Sequence, residues 1–229
     1  MTNKQEMKMR LLKEFANVNE PKTIETCRRM YEFLAEDEKE PADKQVLSDG
    51  VYFIADGPYF TADSEIVSAE YDAPENTGGI LLVQGSKRIV IALKDSPAGD
   101  TETTLTTRQD PDDCKGNYIE AYMYAVADWN GQENTEHLKK VGLNPKIILE
   151  DSQYIPSMGE MYFIFTHRKE VNEALEKAGG EPILGDWYWT STEYSATGAW
   201  SLGLNDGAMT GNTKAAYQGR VRPVSAFIS

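Results

Sequence analysis

The sequence predicts an α+β fold behind a helical N-terminal extension, on two observations. Apolar residues recur at helical spacing up to Leu34, and from about Val46 the pattern is one of short β-type runs bounded by turn residues. In the second part a strongly signed helix, opening on Ser157, stands between two groups of strands. At 229 residues the chain is long for one domain and short for two, and no repeat or second core divides residues 46–229. Two parts are expected, a helical extension over 1–45 and one body over 46–229.

In the extension, Met7, Leu11, Phe15 and Val18 share one helix face. Asn19-Glu20-Pro21 ends that helix and opens another, since proline suits a first helical turn. Ile24, Cys27, Tyr31 and Leu34 then give a packing seam. The seam fits a hairpin packed on the body or a self-association arm over residues 7–34. Residues 36–44 are acidic and read as a linker.

The body opens with the apolar run Val51-Tyr52-Phe53-Ile54, closed by the turn signal Asp56-Gly57-Pro58. Two β runs, 79–83 and 88–93, flank Gln84-Gly85-Ser86-Lys87 and predict a hairpin. Residues 95–113 form a polar loop, 118–128 an aromatic helix, and 134–141 a short helix stopped by Gly142. One helix is expected over 157–178. Ser157 and Glu160 make its capping box, Met161, Ile164, Phe165, Val171, Leu175 and Ala178 its apolar face, and Gly179-Gly180 its end. Strands follow at 187–189, 199–204 and 220–228. In the second of these, alternation puts Trp200, Leu202 and Leu204 inward and Ser201 and Gly203 outward.

Composition removes several functions. A net charge of −14 argues against a nucleic-acid partner, which needs a basic footprint. No stretch approaches the ~18 apolar residues that span a bilayer. The first ten residues lack the apolar core of a secretion signal, so cytoplasmic synthesis is expected. His137 and His167 fall on separate helices without the company zinc requires, and packing roles are expected for both. Cys27 and Cys114 have no neighbouring base and read as small buried residues. Asp110-Pro111-Asp112-Asp113 could offer oxygens to calcium but reads more simply as a solvated loop. No phosphate-cradling glycine loop occurs. No metal and no cofactor are expected.

The informative stretch is 194–219. In a chain that is 26% charged it carries just two charged residues, Asp206 and Lys214, among Ser, Thr, Gly, Ala, Asn and Gln with Tyr194, Trp200 and Tyr217. Small polar groups with rigid aromatics are the composition of antibody-type contact surfaces. The same composition also suits plain β connections.

Several spaced boxes resemble the C-type lectin-like domains of the formylglycine-generating-enzyme branch, found in gut bacteria and their phages. Asn130-Gly131-Gln132-Glu133-Asn134-Thr135 resembles an N-G-x-x-N-T segment, and Tyr154-Ile155-Pro156-Ser157-Met158-Gly159-Glu160-Met161 a W-Y-L-P-S-x-G-E-L box. Trp189-Thr190-Ser191-Thr192-Glu193 is similar to W-S-S-T-E, Ala199-Trp200 to the following A-W, and Val221-Arg222-Pro223-Val224 with Phe227 to V-R-P-V before a final Phe. Asp49-Gly50-Val51-Tyr52 and the run 89–95 sit where that family carries its first strands. The resemblance covers about residues 46–229. It implies a C-type lectin-like fold, antiparallel strands with two main helices.

Many members of that branch are variable proteins of diversity-generating retroelements, in which adenine-directed mutagenesis rewrites the segment between the S-T-E and V-R-P-V boxes. Asn codons mutated at adenine yield Ser, Thr, Gly, Ala, Asp and Tyr, which fits residues between the fixed Trp200, Leu202, Leu204 and Lys214. The ligand-contacting positions implied are Tyr194, Ser195, Ala196, Thr197, Gly198, Ser201, Gly203, Asn205, Asp206, Ala208, Thr210, Asn212, Ala215, Ala216, Tyr217 and Gln218. Trp187, Trp189, Trp200, Leu202, Val221, Val224 and Phe227 would form the apolar backing, at roughly 1.5–3 kcal/mol for each large side chain. Glu193 and Arg222 would brace the strand ends.

Two departures narrow the function. The segment 194–229 has no Cys, unlike the enzyme of this branch, and no Glu-Pro-Asn or Gln-Pro-Asp accompanies Trp129-Asn130-Gly131, as calcium-dependent sugar binding requires. The expectation is a non-enzymatic protein that recognises a protein or glycan on another cell or particle, displayed on a phage particle or a cell surface. The alternatives are a structural subunit assembled through residues 7–34 and an enzyme using Asp206 with Tyr217 or Glu193.

Overall fold

The computed structural model describes residues 47–57, 59–97, 99 and 101–228. The helices, linker and Cys27 expected before residue 46 lie outside the described residues, as does Pro58 of the first turn signal. The rest is a mixed α+β structure, mostly sheet with few helices.

The apolar runs become strands where expected. β1 (Gly50–Ala55) is followed by two short strands, β2 (Phe60–Thr61) and β3 (Ile66–Ser68), and by the hairpin of β4 (Thr77–Gln84) and β5 (Lys87–Ala92). Their side chains alternate between two apolar faces. Phe53, Ile80, Leu82, Ile89 and Ile91 enter the main core, while Ile54, Leu81, Val83 and Val90 pack with Leu47 and Phe60. Strands buried on both faces read as continuous apolar runs, which is how 79–83 and 88–93 appear in sequence.

The helices depart further from expectation. Over 118–128 only α1 (Tyr122–Ala125) is helical. The residues before it serve the sheet, because the Ile119 N–H donates to the Glu193 carbonyl and Trp200 Nε1 donates to the Ile119 carbonyl. Tertiary bonds of this kind override a weak helical propensity. α2 (Gly131–Val141) begins earlier than Asn134, with the Asn134 N–H donating to the Asn130 carbonyl, and ends at Gly142 as expected. β6 (Gln153–Tyr154) follows.

The single helix expected over 157–178 is two, α3 (Met158–Thr166) and α4 (Arg168–Lys177). The break is at His167, where Thr166 Oγ1 donates to the Phe163 carbonyl at 2.8 Å and His167 Nδ1 lies 3.0 Å from the same oxygen. Side chains that compete for a helical carbonyl weaken the ladder there. The capping box is present, with Ser157 Oγ accepting from the Glu160 N–H and Glu160 Oε2 from the Ser157 N–H. Gly179, at φ 68°, ends α4. Its N–H donates to the Glu176 carbonyl and that of Gly180 to the Leu175 carbonyl, the paired bonds of a Schellman end.

The chain closes with β7 (Trp187–Ser195), β8 (Gly198–Gly203), β9 (Met209–Thr213) and β10 (Val224–Ile228). β10 returns to the first sheet, whose order is β2-β10-β5-β4-β1-β3, with β6 also on β10. β7, β8 and β9 make a separate antiparallel sheet with β8 in the middle. α3 packs on β7 and β8 and α4 on β1 and β4, and their Met158, Met161, Ile164, Val171 and Leu175 share one core with Ile80, Ile91, Tyr188, Leu202 and Leu204.

Candidate functional site

The three-stranded sheet carries the segment singled out in sequence, and three polar anchors hold it. The first binds it to the helices. β7 bulges between Trp189 and Glu193, and the freed residues turn to their neighbours. Thr192 Oγ1 donates to Asp128 Oδ2 at 2.6 Å and accepts from the Met158 N–H at 2.9 Å. Asp128 also accepts from the Asn130 N–H and from Asn134 Nδ2, and its carbonyl accepts from Ser157 Oγ. Thr135 Oγ1 accepts from the Ile155 N–H. Three boxes that are separate in sequence thus interlock at one junction. Within it Glu160 is buried, which pushes its carboxyl up to about 7.

The second anchor is Arg222, buried under the strand ends as expected. Its Nη1 donates to the Ala92 carbonyl and Nη2 to the Glu181 carbonyl, each at 3.0 Å, while Nε lies 2.7 Å from Asp95 Oδ1.

The third includes Glu193, expected as a brace, but its partners Lys214 and Asp110 were not visible in sequence. Lys214, fully buried, donates to Asp110 Oδ1 and to Glu193 Oε1. Asp110 Oδ2 accepts from the Tyr118 hydroxyl at 2.8 Å, and His137 Nε2 lies 3.3 Å from both Asp110 Oδ2 and Glu193 Oε2. Burial pushes Asp110 up, but hydrogen bonds from Lys214, Tyr118 and His137 outweigh it and leave the group below the usual carboxylate range. Burial dominates at Glu193 and raises it against the pull of Lys214. Burial and the Asp110 carboxylate push the Tyr118 phenol up to about 12, so it stays a donor.

His137 therefore has company, contrary to its isolated position in the sequence. It, Asp110 and Glu193 offer atoms within 4.8 Å of one another, a spacing that could hold a metal ion, but Lys214 already supplies the positive charge there. His167 packs on Phe163, ring centroids 5.0 Å apart. The acidic run 110–113 does not converge on a cation: Asp110 points inward to Lys214, whereas Asp112 and Asp113 are exposed.

Burial sorts the expected contact positions. Thr197, Asn205, Asp206, Ala208, Ala216 and Gln218 are exposed. Tyr194, Ser195, Ala196, Thr210, Asn212, Ala215 and Tyr217 are half-buried. Gly198, Ser201 and Gly203 are buried, so the outward placement of Ser201 and Gly203 is corrected. β8 is covered on both faces, by Leu202's core cluster and by the one containing Ala199 and Trp189. The turn after β8 folds back over Gly203, and the Tyr194 ring lies over Gly198 and Gly211.

The exposed positions fall mainly at two ends of the sheet. Six residues of β8, at about 3.3 Å each, separate the ends by roughly 20 Å. At the near end the Asp110 N–H donates to the Ala196 carbonyl and the Lys214 N–H to the Thr197 carbonyl. At the far end Asp206 Oδ1 accepts from the Ala208 N–H and caps its own turn. Among the described residues no hydrogen bond or ion pair joins Asp206, Tyr217 and Glu193. Sequence reading missed one exposed group, the consecutive Tyr122, Met123 and Tyr124 of α1, each at least 65% exposed.

No family model matches the chain, and no curated protein does. Among solved structures it is similar to a fimbrial protein from Bacteroides ovatus ATCC 8483, at 15% identity and a TM-score of 0.51. The match covers 78% of this chain and 48% of the other, so the chain spans about half that protein's length. Such a likeness concerns the fold alone.

Proposed function

We propose that this chain is a non-enzymatic recognition protein of adhesin type, with a C-type lectin-like fold, that takes a protein or glycan of another cell or particle. One observation carries the reading. Lys214 is buried, which leaves Asp206 as the one exposed charged side chain of 194–219, in a chain of net charge −14. The contact positions are the uncharged exposed residues at the two sheet ends, and the exposed Tyr122, Met123 and Tyr124 offer further side chains of the kind enriched at interfaces. Loops recognise because a rigid scaffold holds them. The fimbrial neighbour fits a surface role, either on a cell or on a phage particle.

The finer form of this reading is a retroelement-diversified protein whose variable positions are the exposed ones. Glycan and protein arrays probed with the full chain test recognition itself. Signals are expected for the wild type and lost when Thr197, Asn205, Ala216 and Gln218 are changed together to Lys, with melting unchanged. An array silent for the wild type, or indifferent to the change, contradicts the proposal. The fimbrial neighbour also favours a second reading, a structural subunit of a surface appendage. Deleting residues 1–45 and measuring mass by light scattering tests it, and an unchanged monomer removes it.

A further inference from the structure

We propose that Lys214 and Asp110 become joined by an intramolecular amide bond, formed by the protein itself with Glu193 as proton carrier. The inference is independent of the recognition reading and rests on four observations. The Lys214 amine touches both carboxylates directly, Oδ1 of Asp110 and Oε1 of Glu193. The Lys214 and Asp110 side chains are fully buried, so bulk water, which would favour hydrolysis, is kept off the atoms that would join, while Glu193 also borders an open pocket beside His137. Both partners are pinned by backbone bonds: Asp110 N–H to the Ala196 carbonyl at 2.8 Å, Lys214 N–H to the Thr197 carbonyl at 3.1 Å, and Thr106 N–H to the Lys214 carbonyl at 3.0 Å. Held groups react as if at very high concentration. Finally, Asp110 Oδ2 receives the Tyr118 hydroxyl at 2.8 Å and faces His137 Nε2 at 3.3 Å. The Tyr118 hydroxyl is a donor standing where negative charge develops when the carboxyl carbon is attacked.

The step balances without an oxidant or reductant. Glu193 takes a proton from the Lys214 ammonium and passes it to Asp110 Oδ1, so that a neutral amine faces a neutral carboxylic acid. The nitrogen attacks Asp110 Cγ, and the single negative charge that gathers on Oδ2 is met by Tyr118. Glu193 then takes a second proton from the nitrogen and hands it to the Oδ1 hydroxyl, which leaves as water while Oδ2 becomes the amide carbonyl. One C–N bond forms and one C–O bond breaks. The lysine and aspartate charges vanish together, and Glu193 ends unchanged. Its carboxyl, raised by burial, suits a group that must hold and return a proton. The bond would close a loop between residues 104 apart, in a body whose described residues contain one cysteine, Cys114.

Intact-mass measurement of the purified full chain tests this directly. Wild type is expected at the sequence mass less one water, and a digest is expected to yield the Asp110 and Lys214 peptides joined. Lys214→Arg keeps the charge but cannot form the amide, and Glu193→Gln cannot carry the proton, so both are expected at the full sequence mass. Wild type at full mass overturns the proposal. So does a missing water that digestion maps to a cyclised Asp-Gly pair such as Asp206-Gly207. A Glu193→Gln chain that still loses the water overturns the role given to Glu193. The wild-type digest decides the bond even if a variant misfolds.

Discussion

The two ends of the β7–β9 sheet expose the same kinds of side chain yet are held by different means. The near end, around Ser195 and Thr197, sits on the Lys214–Asp110–Glu193 cluster and is tied to it by backbone bonds on both sides. The far end, around Asn205 and Asp206, is held by its own turn, with Gly207 at φ 76° and Asp206 capping Ala208, and by Leu204, which is buried in the main core and donates its N–H to the Asp186 carbonyl. A single strand thus joins one end anchored by buried charged side chains to one held by its turn, a backbone bond and core packing. Residues that look interchangeable in composition differ in what a substitution beside them will do.

Removing the anchor should break the contrast most strongly. Lys214→Met leaves Asp110 and Glu193 buried without their partner, ionic or covalent, at a cost of about 3–5 kcal/mol. Thermal melting reads the loss, and hydrogen exchange should rise at 195–198 before it rises at 204–208. Equal loosening of both ends would contradict the assignment.

Next is the junction behind the sheet. Glu160, pushed up to about 7 from an ordinary 4.5, binds its proton more tightly in the folded state. Stability is therefore lost as pH rises from about 4.5 to about 7 and is level above that, an effect of about 3 kcal/mol. Glu160→Gln keeps the cap acceptor and never ionises. Urea unfolding at pH 5 and pH 8 should give a smaller drop for the variant than for the wild type, and equal drops would remove Glu160 as the source.

Gly198→Ala at the near end should cost about 1–3 kcal/mol, since the added carbon meets the Tyr194 ring. The smallest effect belongs to the far end: Asn205→Ala and Ala208→Ser, both exposed, should stay within about 0.5 kcal/mol. Chemical denaturation of these three variants side by side with Lys214→Met ranks all four.

Much of this architecture could be read from local signals. The 84–87 hairpin, the Ser157–Glu160 box and the Gly179 end each depend on residues within a few positions of one another. The anchor could not be read that way, because Lys214 meets Asp110 across 104 positions and Glu193 across 21. Its one trace was a lone lysine in a stretch otherwise nearly free of charge. β9 escaped because Met209-Thr210-Gly211-Asn212-Thr213 has no apolar alternation and is defined by pairing with β8 alone. For Ser201 and Gly203, a period of two separates the faces of a strand but does not say whether a second layer covers the other one.

The most direct test of the proposed recognition surface is the pattern of substitutions among isolates of one population. They should concentrate at the exposed positions Thr197, Asn205, Asp206, Ala208, Ala216 and Gln218 while sparing Gly198, Ser201, Gly203 and Lys214. Substitutions spread evenly along the chain, or falling as often on the buried four, would contradict it.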